Sequence, residues 1–251
     1  MPNQLNTVTF KKDEVVFEAN SPANLIYVLQ EGDLGIKFGN SPEIEVGTIF
    51  PGESFGESAL IAGARRSATI SCITDSTLIV FDASRWQEFF KNWPEGRLLC
   101  QCVLIELINA NERIRKQTDL TLNYSDSKLL ADLVSGAVRQ MKTLSLTLRS
   151  NEDLIEGLKQ QQAFIISGGH GFIQYGDKEL EVHSDMSLGA SEIVIGRVPE
   201  KSLSLSQLEN PLVGWFIPIL EPFEMLLESN KGIAAIIRGI AHKTIRTRET
   251  G

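Results

Sequence analysis

Phe55-Gly56-Glu57-Ser58-Ala59-Leu60-Ile61-Ala62-Gly63-Ala64-Arg65-Arg66-Ser67-Ala68-Thr69-Ile70 is the stretch around which the rest of the chain is organised. Its parts are those of a seat for a small anion. Gly56 lets backbone approach a ligand with no Cβ in the way. The short apolar run after Glu57 reads as a helix start, whose first N–H groups lack partners within the turn and can point at an anion. Gly63 ends that turn, and Arg66-Ser67-Ala68-Thr69 leads into an alternating strand. Arg66 can close a bidentate, charge-assisted clamp on phosphate oxygens. Glu57 is the odd member, because a carboxylate repels phosphate. It fits a ligand that also carries a hydroxyl donor, such as a ribose 2′-OH.

Around this stretch the first hundred residues read as short strands and turns: Val8–Phe10, Val15–Phe17, Leu25–Leu29, Leu34–Phe38, Ile44–Phe50, Thr69–Cys72 and Thr77–Phe81. Closely spaced strands with glycine-rich turns indicate a β-sandwich or barrel. Asp82 to Asn92 then has a helical pattern that Asp82 or Ser84 can cap. Pro94 suits the first turn of a second helix, from about Glu95 to Lys116. Its apolar residues, Leu98, Leu99, Cys102, Val103, Leu104, Ile105, Leu107 and Ile108, are too broad for one stripe. Such a helix is buried on more than one side. Asn109 and Asn111 read as surface polar residues. Thr118–Ser127 reads as a linker, followed by a helix through Met141 with Ser125 or Asp126 as its cap.

The chain has 251 residues and a formal net charge of −8, which disfavours a nucleic-acid surface. Its N-terminus carries no signal-peptide pattern, and no apolar run is long enough to span a bilayer. Three cysteines, Cys72, Cys100 and Cys102, form no disulfide framework, which fits a reducing, cytoplasmic setting. None of His170, His183 and His242 lies near the central stretch in sequence, so neither a metal centre nor a catalytic arrangement is expected.

Phe55-Gly56-Glu57, Ala59-Leu60 and Arg66-Ser67-Ala68-Thr69 together resemble the phosphate-binding cassette of the cyclic-nucleotide-binding domains. These occur in the catabolite activator protein and in the regulatory subunit of cAMP-dependent protein kinase. The resemblance implies a double-stranded β-helix jelly roll over the first region. It gives Arg66 the cyclic phosphate and Glu57 the ribose hydroxyl. Gly56, Ser58, Ala59, Leu60 and Ala68 would line the cradle, and Ser67 would supply a hydroxyl near the phosphate or base. Arg65 has no counterpart in the pattern. The ligand would be cAMP or cGMP, with cAMP preferred. In the family the long helix lids the nucleotide and often makes a dimer contact. The helix-turn-helix of the family's bacterial transcription factors has no match here.

Past Leu144 the chain repeats itself, at separations from 133 residues (Glu57 to Ala190) to 138 (Lys11 to Arg149). Arg149–Ile155 parallels Lys11–Phe17, Ala163–Ser167 parallels Tyr27–Glu31, and Gly168–Phe172 parallels Gly32–Ile36. Leu188-Gly189 falls where Phe55-Gly56 fell. Two repeats of this size imply tandem domains. The second copy departs where the chemistry lies, with Ala190 at the position of Glu57 and Lys201 at that of Arg66, so it reads as degenerate. Lys243, Arg246 and Arg248 near its end read as cations favoured by a helix C-terminus.

The fold expected is mainly β with helices: two jelly-roll barrels, each with flanking helices. Residues 1–118 would form the cyclic-nucleotide-binding domain, 119–143 a helical linker and 144–251 the degenerate copy. The function expected is a non-enzymatic cyclic-nucleotide sensor that relays occupancy to a protein partner, with no nucleic acid, membrane, metal or cofactor involved. A homodimer through helix 95–116 is a further expectation. The alternative reading is an interaction scaffold with a relic cassette.

Overall fold

The structure is a computed structural model and describes residues 6–38, 44–60, 65–91, 93–117, 136, 139 and 144–250. It divides into two units, Met1–Asn92 and Trp93–Gly251.

The first unit is two four-stranded antiparallel sheets. One runs β1 (Asn6–Phe10), β8 (Ser76–Asp82), β3 (Leu25–Glu31), β6 (Ser54–Phe55). The other runs β2 (Val15–Phe17), β7 (Thr69–Cys72), β4 (Leu34–Phe38), β5 (Ile44–Ile49). Tyr27, Leu29, Phe55 and Leu78 from the first sheet and Leu34, Ile49, Ile70 and Cys72 from the second form one core. This is the double-sheet jelly roll that the family resemblance implies. The Tyr27 and Phe55 rings stack at 5.1 Å, with Phe17 about 6 Å from each, so aromatic packing anchors the sheet edge that leads into the cassette. Asp82 caps α1 (Ala83–Phe90) through its carboxylate, which accepts from the Ser84 N–H at 2.7 Å.

The second unit opens with α2 (Pro94–Gln117), which begins at the expected proline. Its packing partners in this unit are the C-terminal helices, the strands Met186–Leu188 and Leu203–Pro218, and the short helix after Gly189. Leu99, Cys102, Val103, Ile105 and Leu107 are all buried. Burial of each large side chain contributes about 1.5–3 kcal/mol. The helix grouped in the sequence with residues 1–118 thus falls in the second unit. Leu98 and Ile108 on the same helix are half-buried. Asn109 is also buried, not on the surface; its amide donates to the carbonyls of Ile105 and Asp185. The proposed linker and helix over 119–143 lie outside the described residues, apart from Gly136 and Arg139.

Beyond it the second unit holds one five-stranded antiparallel sheet in the order β11 (Lys178–His183), β10 (Gln162–Tyr175), β13 (Leu203–Pro218), β9 (Leu146–Leu148), with β12 (Met186–Leu188) also on β10. Its pairing scheme is that of the first unit, with strands fused. The first half of β10 pairs β12 and the end of β13, as β3 pairs β6 and β8. The second half pairs β11 and the start of β13, as β4 pairs β5 and β7. Where the first unit turns at Gly32-Asp33, β10 runs on through Gly168-Gly169 with successive register shifts. Such bulges bend a strand and let it serve two sheet segments.

Among the described residues no strand stands as the counterpart of β2. Arg149–Ile155, which parallels Lys11–Phe17 in sequence, instead enters α3 (Asn151–Lys159). Ser150 Oγ accepts from the Asp153 N–H, and the Asp153 carboxylate accepts from the Ser150 N–H at 3.0 Å, a reciprocal capping box. Gly157 allows this helix to lie on the sheet, since a Cβ there would come within 2.0 Å of the Phe216 ring. The remaining helices are α4 (Ala190–Val194), α5 (Pro199–Ser202), α6 (Leu220–Ser229) and α7 (Lys231–Thr250).

On the sheet surface His170 lies between two carboxylates, Glu181 Oε1 at 2.8 Å from Nε2 and Glu209 Oε2 at 2.9 Å from Nδ1. The Glu181 hydrogen bond first, and then Glu209, raise the His170 pKa above the ordinary 6.5. The charged imidazolium is therefore favoured in the folded chain. Its contribution to stability is complete below the ordinary histidine pKa and is lost as pH rises through the raised one. An NMR titration should place the His170 midpoint above 6.5, and Glu181→Gln should lower it; an unchanged midpoint in the variant would contradict the assignment.

Candidate functional site

In the first unit the site begins where β6 ends. Gly56 adopts φ 78°, a left-handed conformation that a side chain strains. A Cβ there would also sit 2.5 Å from Arg66 Nη1. Glu57–Leu60 then form a 3₁₀ turn, as the helix start in the sequence implies. Glu57 is buried, and its Oε1 accepts from Ser54 Oγ at 3.3 Å. The side chains of Ser58 and Ala59 and all of Ile61–Ala64 lie outside the described residues.

Arg66 is the centre of the site. It is 3% exposed. Its Nη1 donates to the Gly56 carbonyl at 3.0 Å and its Nη2 to the Leu25 carbonyl at 2.8 Å. The guanidinium lies 4.1 Å from the centroid of the Phe17 ring and 5.7 Å from that of Tyr27. These contacts hold the cation by neutral acceptors and ring faces. Two of its five N–H donors are used in this way, and the buried Nε has no partner. Burial lowers the Arg66 pKa, against Tyr27 and Glu57, which hold it up. A guanidinium in this position is short of a negative charge.

The neighbours divide as the sequence suggests. Arg65 is exposed and donates to the Asn20 carbonyl at 2.7 Å. Ser67 is exposed, while Ala68 is buried. The structure thus brings Gly56, Glu57 and Arg66 together and leaves Ser67 open to solvent.

The second unit has the same backbone device at the same place in its pairing scheme. β12 ends at Gly189, φ 94°, and α4 follows. Lys201, aligned with Arg66, is exposed on the short helix α5, because the inserted residues around Pro199 redirect the chain. The groups at this second cassette come from elsewhere. Glu106 of α2 is fully buried; its Oε1 accepts from the Ala190 N–H at 2.8 Å and from Ser187 Oγ at 3.3 Å, and its Oε2 from the Ser191 N–H at 2.9 Å. Arg248 of α7 lies 3.3 Å from Glu106 Oε2 and 2.8 Å from Glu192 Oε1. Burial raises the Glu106 pKa above that of an exposed glutamate, Arg248 pulls it down, and Glu192 adds to the rise. Arg248 stands in the last turn of α7, as read from the sequence, and there its side chain is 8% exposed and bridges two buried carboxylates.

Residues 7–92 match the family model for the cyclic nucleotide-binding domain, so the first unit belongs to that domain family. An uncharacterised ABC transporter ATP-binding protein of Mycobacterium tuberculosis is 37% identical over 90 residues, covering 35% of this chain and 27% of that protein. A putative potassium channel protein of Rhodopseudomonas palustris is 35% identical over 126 residues, 49% of this chain and 28% of that one. A cGMP-dependent protein kinase of Plasmodium berghei is 23% identical over 175 residues, 70% of this chain and 17% of the kinase. The chain therefore spans between 17% and 28% of the length of these relatives. A solved structure, cAMP bound PfPKA-R, aligns over 99% of this chain and 82% of its own at 16% identity, with a TM-score of 0.41. Among the described residues there is no helix long and apolar enough to cross a membrane and no group of residues fit to hold a metal ion.

Gly56→Ala should cost roughly 1–3 kcal/mol, from the left-handed backbone and the displaced guanidinium together. Gly52→Ala is the matched control: its φ is 89°, and no heavy atom lies within 4 Å of the added Cβ. It should bear the backbone part alone. Equal losses for the two variants in urea denaturation would mean that Gly56 does not serve the approach of Arg66.

Proposed function

We propose that this chain is a cyclic-nucleotide sensor without enzymatic activity, and that it takes one cAMP or cGMP in the first unit. The Arg66 guanidinium carries the reading: buried, held by neutral acceptors, with Nε unpaired, it is a cation prepared for an anion. The cyclic phosphate would accept from Arg66 and from the amides of the turn at Ala59 and Leu60. The ribose hydroxyl would donate to Glu57, whose carboxylate is already held by Ser54. Ser67, on the open side, is the residue nearest in sequence for contact with the phosphate or base. Gly56, Ser58 and Ala68 shape the cradle and donate no side-chain charge to it.

The domain-family match over residues 7–92 supports the ligand class, and the matched relatives include a protein described as cGMP-dependent. Those relatives couple similar segments to an ATP-binding protein, a channel and a kinase, which fits a sensor whose output lies outside the nucleotide unit. In this chain the output would be a protein contact. The segment that leaves the first unit is α2, and the second unit, a degenerate copy of the first, is the body that α2 packs on. Any bias that nucleotide exerts must act as a difference in affinity between two arrangements of that connection.

Calorimetric titration of Arg66→Ala and Arg65→Ala tests the assignment. Loss of the charged partner of a buried anion costs roughly 2–5 kcal/mol, or about 30- to several-thousand-fold in affinity. Arg66→Ala should show that loss with cAMP or cGMP, and Arg65→Ala should stay within about twofold of wild type, as expected for an exposed charge. Equal losses would overturn the role given to Arg66.

A further inference from the structure

We infer that the second unit carries its ligand within its own chain: the Glu106 carboxylate is the anion that its cassette holds, and this contact fastens α2 to the unit without any nucleotide. The inference does not depend on whether the first unit binds cAMP or cGMP.

Three observations converge on it. The first is position. Gly189 and α4 follow β12 on β10 as Gly56 and the 3₁₀ turn follow β6 on β3, and both glycines are left-handed. The backbone seat of the first unit is thus retained in the second. The second is occupancy. The two amides at the start of that seat, Ala190 and Ser191, each donate to one oxygen of Glu106, at 2.8 and 2.9 Å. Ser187 Oγ adds a third donor, and Arg248 pairs with the carboxylate at 3.3 Å, and these contacts favour the charged form. The third is the clamp. Although Lys201 has moved out to solvent, Arg248 restores a guanidinium from a different helix and lies 5.6 Å from the centroid of the Tyr175 ring, much as Arg66 lies over Phe17 and near Tyr27.

The chemistry excludes a second anion at the same seat. A phosphate would have to displace Glu106 from donors already satisfied, beside the buried carboxyl group of Glu192 that Arg248 holds at 2.8 Å. Loss of Glu57 and Arg66 counterparts from this unit is therefore matched by a replacement that the chain supplies itself. The consequence for α2 is that its attachment rests on a tethered carboxylate as well as on apolar contacts.

Chemical rescue in the full chain tests this. Glu106→Ala should lower the melting temperature by roughly 10 °C. Sodium formate, small enough to enter the vacated space, should restore about half of that loss when compared with sodium chloride at equal ionic strength. Wild type should gain nothing from formate beyond chloride. Glu106→Gln keeps the shape but turns one acceptor into a donor, and it covers the case in which the alanine variant does not fold. In it, hydrogen exchange at the Ala190 and Ser191 amides should be about tenfold faster than in wild type. A folded Glu106→Ala that formate does not rescue, an equal gain by wild type, or unaltered exchange at those two amides in Glu106→Gln would each overturn the inference.

Discussion

A buried guanidinium needs a negative charge, and the first unit is arranged around that need. Burial of Arg66 beneath the aromatic cluster of Phe17, Tyr27 and Phe55 removes it from water. The carbonyls of Gly56 and Leu25 hold it in place without neutralising it. Gly56 must be a glycine for this geometry, because a Cβ would collide with the same guanidinium. The jelly roll brings these residues together from four separate segments: β2, β3, the end of β6, and the approach to β7. Their separation in sequence is closed by pairings of β3 with β6 and β2 with β7.

The two units show one backbone device with two electrostatic outcomes. In the first, the cation is held by neutral acceptors, with the buried Glu57 carboxylate helping to keep it charged. In the second, anion and cation both belong to the chain, as Glu106 and Arg248. That pair sits with Glu192 in a buried cluster of two carboxylates and one guanidinium, where removing Arg248 would leave both carboxylates uncompensated. The second seat contributes to packing of α2 and α7, and the first, as proposed, keeps its donors for an outside partner.

Much of this was legible in the sequence, where the signals are local. The string from Phe55 to Thr69 located the seat, the cap at Asp82 and Pro94 marked two helix starts, and Gly52 and Gly56 fell at left-handed turns. Two things were missed. The capping box in Ser150-Asn151-Glu152-Asp153 is a local helix signal, but alignment with the strand Val15–Phe17 masked it. Glu106 and Arg248 carry no local signal: one lies among the polar positions of a long helix and the other in a basic terminal turn. Glu106 meets Ala190 across 84 residues, a contact that only the tertiary fold creates. A charged residue within a run as apolar as Leu104–Ile108 was the available hint, since a buried carboxylate demands partners.

The account stands on there being one seat left for an outside anion and one already filled. Calorimetric titration of the wild-type chain with cAMP, and separately with cGMP, measures this directly as a stoichiometry. The account predicts one nucleotide bound per chain. Two sites of similar affinity, or none for either nucleotide, would contradict it.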